Sequence, residues 1–544
     1  MTEFIFGGPE RYKHQRRGLN KIIRTGGVCA LLFDPGTGKT AVTLDYASML
    51  ALKVPGGEAR VLVVCPLAAV DTWVMQAGTY VSPQVRYWAE ALGGSITNRG
   101  EALASRGGQP FTQKKASKSR GEAPRALHYD KALAWEARGP GDRERPITAS
   151  EGPDALGDGP GRLVLEVINL DTLMSRALAD YGRGTKADFL LESVRRFNPH
   201  LIVVDESHKI KSATANASRL LARMSSSAPR RIILTGTVMP HSPLDVFGQW
   251  RFLEPYAFGP VNPDGTHRAA TWSQFRGRYA VMGGFMGREV KDYVNLDEMQ
   301  DIIAKNSEVA LKEEALDLPA TTDVIVPVNL SPAESKAYRE MKDLLAAQLA
   351  SGQMSTVPNR LTQMLRLRQI TSGHLPDDSG SLNIIGRSKA DVIKSIVHDT
   401  LVGEKRIVIF CLFSQEIAML SSVLSKSGTE VMVIEGSTST DDRKAMRKRF
   451  GSDDPARIVM IAQIKTMSLA VNELVTANHA IFGSLSQQRD DLIQARDRLN
   501  RIGQTRPVTF WYAVAPGTVD QVILEAHDKR TNLESAMLKH IQGS

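Results

Sequence analysis

Two series of short apolar runs constrain the fold of this chain more than any other feature. Within each series the runs consist almost entirely of aliphatic and β-branched residues, and stretches with helical periodicity separate them. Strands that are apolar along their whole length are typical of parallel sheets with helices on both faces. Two such series predict two α/β lobes. The predicted strands are 28–33, 61–65, 163–168, 201–204 and 231–234 in the first series, and 322–328, 406–411, 430–434, 458–461, 479–482 and 508–512 in the second.

Composition narrows the class of protein further. The chain has 544 residues, 42% of them hydrophobic, which is enough for several packed domains. The net charge of +9 favours a polyanionic partner, although many basic proteins bind no nucleic acid. The three cysteines lie inside apolar runs, which indicates buried free thiols in a reducing compartment. No apolar stretch approaches the length of a membrane span, and the N-terminus lacks a signal peptide, so we expect a cytoplasmic protein.

The distribution of turn residues and charge suggests how the chain is divided. Residues 92–160 contain many Gly, Pro and Arg residues and little periodicity, which predicts a flexible insertion. Within it, residues 99–125 carry seven basic and two acidic side chains. The predicted domains are a first lobe at 1–255 that includes this insertion, a connector of loops and helices at 256–320, and a second lobe at 321–544 with a helical protrusion at 331–386 and an arginine-bearing motif at 494–504.

A glycine-rich loop follows the first apolar run and precedes a predicted helix. Glycines let such a loop wrap closely around phosphates, toward which its backbone N–H groups can point. Lys39 would reach the β- and γ-phosphates of ATP, and the Thr40 hydroxyl would bind Mg²⁺. Phe33 stands where the usual phosphate-loop pattern has its first glycine. The predicted ATP-binding residues of this loop are Pro35, Gly36, Thr37, Gly38, Lys39 and Thr40.

Two adjacent carboxylates end the fourth apolar run. Asp205 and Glu206 follow the run 201–204, and α/β sheets bind ligands at the carboxyl ends of their strands. Asp205 would hold Mg²⁺ through water, since this ion keeps much of its hydration. Glu206 is placed to orient or deprotonate the attacking water. An acidic pair after a strand is usually only a solvated turn, but the phosphate loop favours the catalytic interpretation.

The segment Asp205–His208 reads DESH, and together with further blocks it resembles the Swi/Snf branch of the superfamily-two (DExH-box) helicase-like ATPases. The blocks occur in the order found in that family and cover most of the chain except 92–160 and much of 256–320. They are Gln15 with its neighbours, Val64–Leu67 followed by Trp73, Leu234–Thr237, Leu318–Pro319, Leu365–Gln369, Ile407–Phe410, Glu435–Thr438 and Gln494–Gln504.

The resemblance implies a fold and a set of contacts. The fold would be two tandem RecA-like lobes, each a doubly wound parallel sheet with helical insertions. Gln15 would read adenine, and His208 would join the ATP-binding residues. The DNA backbone would be tracked by residues of three family motifs, namely Pro66, Leu67, Ser414 and Thr466. Trp73 could stack on a base, but burial in the core is favoured because large aromatic residues are mostly buried.

Arginines in the last block have a chemical role of their own. A phosphoryl-transfer transition state spreads charge over the γ-phosphate oxygens, and an arginine from a facing domain can stabilise it. Arg498 and Arg501, three apart on a predicted helix, would share a face and reach across a cleft between the lobes. Gln504 could be part of this motif or simply a polar surface residue.

Two segments depart from the family pattern. Ala470 stands where motif V of this branch has glycine, and alanine cannot adopt glycine-only backbone angles without cost. The segment Ser484–Arg489 replaces a tryptophan-bearing stretch before the last motif. Coupling between DNA and ATP is therefore expected to differ from the family norm.

These features predict an ATP-dependent DNA translocase that is stimulated by DNA and uses ATP and Mg²⁺. We expect a monomer of bacterial or phage origin that prefers duplex to single-stranded DNA. Two alternatives remain open: a strand-separating DNA or RNA helicase, and an ATP-gated DNA clamp with weak turnover.

Overall fold

The computed structural model describes residues 4–55, 57–106, 161–175, 178, 184–240, 242–262, 264, 266–284, 289–312, 318–350, 357–376, 382–426, 429–466 and 473–529. The chain divides into two compact units, residues 1–316 and 317–544. No helix in the ranges given is both long and apolar enough to cross a bilayer.

The first unit is built on a seven-stranded sheet. The strands of the whole unit, which also contains a separate pair, are β1 Val28–Phe33, β2 Glu58–Cys65, β3 Arg86–Ala91, β4 Arg162–Asn169, β5 Leu201–Asp205, β6 Arg230–Leu234, β7 Ala280–Gly283, β8 Glu289–Tyr293 and β9 Ser307–Ala310. Its helices are α1 Lys13–Arg24, α2 Lys39–Lys53, α3 Val70–Tyr80, α4 Ile96–Arg106, α5 Leu170–Met174, α6 Lys186–Phe197, α7 Asn216–Met224, α8 Val246–Leu253, α9 Trp272–Tyr279 and α10 Leu296–Lys305. The strands β7 and β8 form a separate antiparallel pair.

The large sheet is parallel throughout, in the order β3-β4-β2-β5-β6-β1-β9. Alternate residues of its central strands point into two different cores. Ala30 and Leu32 face one core, which includes residues of α4, α6, α7 and α8. Cys29 and Leu31 face the other, with residues of α1, α2 and α3. The unit is therefore the doubly wound α/β lobe that the sequence predicts.

The second unit repeats this architecture. Its strands are β10 Thr321–Pro327, β11 His374–Pro376, β12 Leu382–Ile384, β13 Arg406–Cys411, β14 Glu430–Ile434, β15 Ile458–Gln463, β16 His479–Phe482 and β17 Val508–Val514. Its helices are α11 Pro332–Ala350, α12 Val357–Thr371, α13 Ser388–Gly403, α14 Ser414–Ser425, α15 Thr440–Phe450, α16 Arg489–Leu499 and α17 Val519–Lys529. Six strands form a parallel sheet in the order β10-β17-β16-β13-β15-β14. This confirms the predicted fold class of two parallel-sheet lobes.

The segment predicted as a connector, 256–320, belongs to the first unit as far as residue 316. Its strand β9 pairs in parallel with β1 and forms one edge of the large sheet. Phe275, Tyr279 and Met299 are fully buried in the first unit's core. These residues pack the segment against the first unit. They are scattered along the sequence without a long periodic pattern, so the sequence did not indicate this packing.

The predicted flexible insertion, 92–160, begins as ordered structure. Leu92 and Leu103 are buried in the core, and α4 packs against α6, where Gly100 lies so close to Phe189 that a Cβ would be only 2.5 Å from its ring. Residues 107–160 lie outside the described ranges, so flexibility there stays a prediction.

Substitution of Leu103 by alanine tests the packing of α4. We expect the free energy of unfolding to fall by about 2–5 kcal/mol, because a fully buried leucine would leave a cavity. Urea unfolding of the full chain measures this loss. The exposed Glu101 on the same helix gives a matched control, and Glu101→Ala should change stability by less than about 0.5 kcal/mol. Equal effects of the two variants would contradict the packing of α4.

Candidate functional site

Four neighbouring strands of the first sheet bring the predicted site segments to one edge. The strands β2, β5, β6 and β1 are adjacent and parallel, so their carboxyl ends lie along the same edge of the sheet. The glycine-rich loop follows β1, Asp205 ends β5, Thr235 follows β6, and Pro66 follows β2. Ligands of α/β sheets bind at this edge.

Two glycines of the loop after β1 have backbone angles that favour glycine. Gly36 and Gly38 both have positive φ angles, of 81° and 90°, which glycine adopts at little cost. Lys39 opens α2 and its Nζ folds back to donate to the carbonyl oxygens of Phe33, at 2.7 Å, and Asp34, at 3.3 Å. These two hydrogen bonds hold the ammonium against the loop. It lies at the N-terminus of α2, and helix N-termini attract anions.

Two side chains of α1, His14 and Gln15, contact the backbone of this loop. The carbonyl oxygen of Thr37 accepts a hydrogen bond from Gln15 Nε2 at 3.0 Å and lies 2.8 Å from His14 Nε2. Gln15 Oε1 in turn accepts the backbone N–H of Tyr12 at 3.1 Å. A Cβ on Gly38 would stand 2.1 Å from Gln15 Nε2, so a larger residue would displace this side chain in addition to straining the backbone. Recognition of adenine by Gln15 stays a prediction.

Asp205 is almost fully enclosed and both of its oxygens accept hydrogen bonds. Its Oδ2 accepts the indole N–H of Trp73 at 2.9 Å, and its Oδ1 accepts the backbone N–H of Glu206 at 2.9 Å. Burial raises the pKa of Asp205 to about 6, and the Glu206 carboxylate acts in the same direction. The Trp73 hydrogen bond and the Lys39 ammonium lower the pKa, which indicates that Lys39 and Asp205 share one electrostatic environment.

Glu206 has a left-handed backbone, with φ 49° and ψ 50°. A non-glycine residue in this region is strained by roughly 1–3 kcal/mol, and such residues cluster at active sites. Its Oε2 lies 3.3 Å from His208 Nδ1, and the same nitrogen lies 3.1 Å from the Thr235 hydroxyl. The carboxylate after β5 is therefore linked through His208 to the segment after β6.

Thr40 and Asp205 offer a hydroxyl and a carboxylate at the same edge of the sheet. Mg²⁺ in phosphoryl-transfer sites is bound by one or two protein oxygens together with phosphate and water. The chemistry of this pair matches such a site.

The two residues that follow β2, Pro66 and Leu67, differ in exposure. Pro66 is buried, whereas Leu67 is 62% exposed at the start of a short 3₁₀ turn. That turn leads directly into α3, where Trp73 is 1% exposed. The burial of Trp73 confirms the core interpretation and rules out base stacking in this conformation.

The predicted site residues of the second unit follow its strands. Ser414 begins α14 and is separated from the end of β13 by two residues. Thr466 ends a 3₁₀ turn after β15, where its hydroxyl donates to the Gln463 carbonyl at 2.7 Å. Arg498 lies in the last turn of α16, but the helix ends at Leu499, so Arg501 lies beyond it. The argument that both arginines share one helix face was wrong, because the chain leaves the helix between them. Both are half-buried.

Comparison with known proteins gives two family models in tandem. The model of the SNF2-related domain matches residues 185–374, and that of the helicase conserved C-terminal domain matches residues 388–503. Together they cover more than half of the chain. The chain belongs to the SNF2-related helicase-like family.

Several relatives of this SNF2-related chain have been described. It is 26% identical over 367 residues to the mouse DNA annealing helicase and endonuclease ZRANB3. This alignment covers 65% of this chain and 31% of that protein. It is 24% identical over 356 residues to an uncharacterized ATP-dependent helicase of Mycoplasma pneumoniae, covering 65% of this chain and 32% of that one. The chain therefore spans less than a third of the length of these curated relatives. A solved structure of the Sulfolobus solfataricus SWI2/SNF2 ATPase core in complex with dsDNA aligns with 99% of this chain and 95% of its own, at a TM-score of 0.36 and 19% identity.

Of the two segments that depart from the SNF2-related pattern, the structure describes only Ser484–Arg489. Ala470 lies outside the described ranges. The segment that replaces the tryptophan-bearing stretch is held by buried groups of the second unit. Glu416 Oε2 accepts the Ser484 hydroxyl at 2.6 Å, and Arg368 Nη2 donates to the Leu485 carbonyl at 2.6 Å. Burial lowers the pKa of Arg368 to about 10.

Gln504 is buried in this SNF2-related chain, which excludes the alternative that it is a polar surface residue. Its Nε2 faces the carbonyl oxygens of Ala477, at 2.9 Å, and Val475, at 3.1 Å. Its Oε1 accepts two backbone N–H groups that follow it in the chain. The side chain therefore ties the end of the arginine motif to the segment that precedes β16.

Sequence reasoning also missed two buried side chains around the carboxylates. Trp73 was considered for base stacking or for burial in the core but not as a partner of Asp205, and its donation to Asp205 spans 132 positions of sequence. Gln249 was not singled out, yet it accepts the Ser207 hydroxyl at 2.7 Å and donates to the Val238 carbonyl at 2.7 Å. The only signal for Trp73 was its place shortly after Pro66-Leu67.

Proposed function

We propose that this protein is an ATP-dependent DNA translocase. The observation that carries the proposal is the edge of the first sheet, where a two-glycine loop with Lys39 lies in the same electrostatic environment as Asp205 and Glu206. Membership of the SNF2-related family supports it, since the relatives it resembles include proteins named as ATP-dependent DNA helicases. The chain's net charge of +9 is consistent with a nucleic-acid partner.

Each site residue has one role in the proposed hydrolysis. The loop Pro35–Gly38 and Lys39 bind the phosphates of ATP, while Gln15 and His208 line the nucleotide site. Thr40 and Asp205 hold Mg²⁺, which when bound neutralises charge on the phosphate oxygens. Glu206 orients the attacking water and takes its proton. Arg498 and Arg501 of the second unit stabilise the charge that develops in the transition state.

We propose that the DNA backbone contacts Leu67, Ser414 and Thr466, whereas Pro66, which is buried, precedes the turn that presents Leu67. Each of these follows a parallel strand at its carboxyl end. The exposure of Leu67 supports access at its position. Contacts to phosphate and sugar carry no direct sequence information, so we expect binding without sequence preference.

ATPase measurements with different polymers test the proposed function. We expect duplex DNA to raise the steady-state rate at least about tenfold, because a nucleic acid that favours the closed state completes the catalytic arrangement. Single-stranded DNA and RNA should stimulate less. Stimulation should decline as salt is raised, since backbone contacts release counterions.

The same experiment separates the alternatives. Stimulation chiefly by RNA or single strands, together with displacement of a labelled strand, would favour a strand-separating helicase. A rate that no polymer changes at low salt, where binding occurs, would contradict DNA-coupled translocation and favour a clamp.

A further inference from the structure

A buried hydrogen bond of the first unit joins the core residue Trp73 to the site carboxylate Asp205. Trp73 donates its indole N–H to Asp205 Oδ2 at 2.9 Å, and the other oxygen of that carboxylate accepts a backbone N–H. Asp205 is only 9% exposed, so its orientation is set by these two donors rather than by water. A carboxylate with both oxygens engaged presents its remaining lone pairs in fixed directions.

Another tryptophan of the same unit shows that the fold does not demand such a partner. Trp250 is as deeply buried as Trp73, but its Nε1 has no hydrogen-bond partner among the described residues. Trp250 therefore contributes apolar packing alone. Trp73 contributes similar packing and, in addition, a directed donor at a carboxylate predicted to hold a metal.

We infer that Trp73 is a positioning residue for Mg²⁺, acting through its hydrogen bond to Asp205. This inference rests on the proposed role of Asp205 in the ATP site. Groups that hydrogen-bond to a metal-binding side chain fix its orientation, and their loss typically lowers metal affinity or activity about 10- to 100-fold. Without the indole N–H, the carboxylate can rotate away from the direction in which the ion lies.

The test compares Trp73→Phe with Trp250→Phe in the full chain. Both changes remove an indole from a buried site, but only the first removes a hydrogen bond. Binding of a fluorescent ATP analogue is measured at increasing MgCl₂ and again in EDTA. We expect Trp73→Phe to raise the half-saturating Mg²⁺ concentration about tenfold or more. Binding in EDTA should stay within about twofold of wild type, and Trp250→Phe should match wild type in both measurements.

A second substitution covers loss of folding. Replacement of Trp73 by 3-benzothienylalanine keeps the shape of the double ring and puts sulfur in place of the N–H group, so packing is preserved. It should give the same Mg²⁺ shift as Trp73→Phe.

The outcomes distinguish the inference from the proposed function. An unchanged Mg²⁺ dependence in a folded variant at position 73, or an equal shift in Trp250→Phe, would overturn the inference alone. Analogue binding by the wild-type protein that does not depend on Mg²⁺ would likewise overturn the inference alone, whereas wild-type protein that binds no analogue at any MgCl₂ concentration would overturn both.

Discussion

The Glu206→Gln variant should bind ATP as wild type does and hydrolyse it on the order of 10²- to 10⁴-fold more slowly, as expected for loss of a general base. Glutamine keeps the size of the side chain, so the left-handed backbone and the contact toward His208 can persist while the basic oxygen is lost. Single-turnover hydrolysis and equilibrium binding of ATP measure the two effects. Glu192→Gln, on the exposed surface of α6, is the matched control and should have no effect.

Lys39→Ala should also abolish hydrolysis, but with a different binding result. Lys39 is held over the phosphate loop, so its removal takes away a phosphate contact and ATP affinity should fall. Lys53→Ala, at the exposed end of the same helix, controls for the loss of a charge on α2. Turnover near the wild-type level in either Glu206→Gln or Lys39→Ala would refute the assignment of the ATP site.

The second large effect concerns the arginine motif. Arg498→Ala and Arg501→Ala should each lower the DNA-stimulated rate by about 10³- to 10⁵-fold, the contribution typical of an arginine that stabilises a phosphoryl-transfer transition state. Affinities for ATP and DNA should stay nearly intact, because such an arginine acts chiefly in the transition state rather than in the ground state.

Rate and binding must be measured on the same preparations to interpret these variants. Arg506→Ala is the control, because Arg506 lies in the same unit, is exposed and pairs with Glu404. A loss of ATP affinity as large as the loss of rate would show that the arginines bind the ground state. An unchanged rate would remove both from the catalytic mechanism.

The central strands could be predicted from sequence because they are buried on both faces. Val28–Phe33 and Arg406–Cys411 occur with the predicted bounds, since nothing but a central parallel strand needs so many consecutive apolar residues. The edge strands β3 and β9 were missed for the converse reason. Arg86–Ala91 carries charged residues and Ser307–Ala310 is only four residues long, so neither has an apolar run to recognise.

The site was predictable only where its chemistry is local. The phosphate loop and the Asp205-Glu206 pair are contiguous segments with fixed spacing, and the structure gives both the expected place at the end of a strand. Contacts between segments could not be read in this way. Neither the hydrogen bond from Trp73 to Asp205 nor the burial of Gln504 has a local pattern, because each depends on which strands become neighbours.

The position of β1 in its sheet has a consequence for synthesis of the protein. β1 begins at residue 28, but its two neighbours are β6 and β9, whose residues come about 200 and 280 positions later. The backbone N–H of Asp34, in the phosphate loop, donates to the carbonyl of Ala310, and Asp34 Oδ2 accepts the N–H of Lys312. The loop leaves the ribosome well before residue 310, so its strand cannot complete its pairing until about 280 further residues have emerged. The proposed nucleotide site is therefore completed only when nearly the whole first unit has been synthesised and its last strand is available to pair with β1.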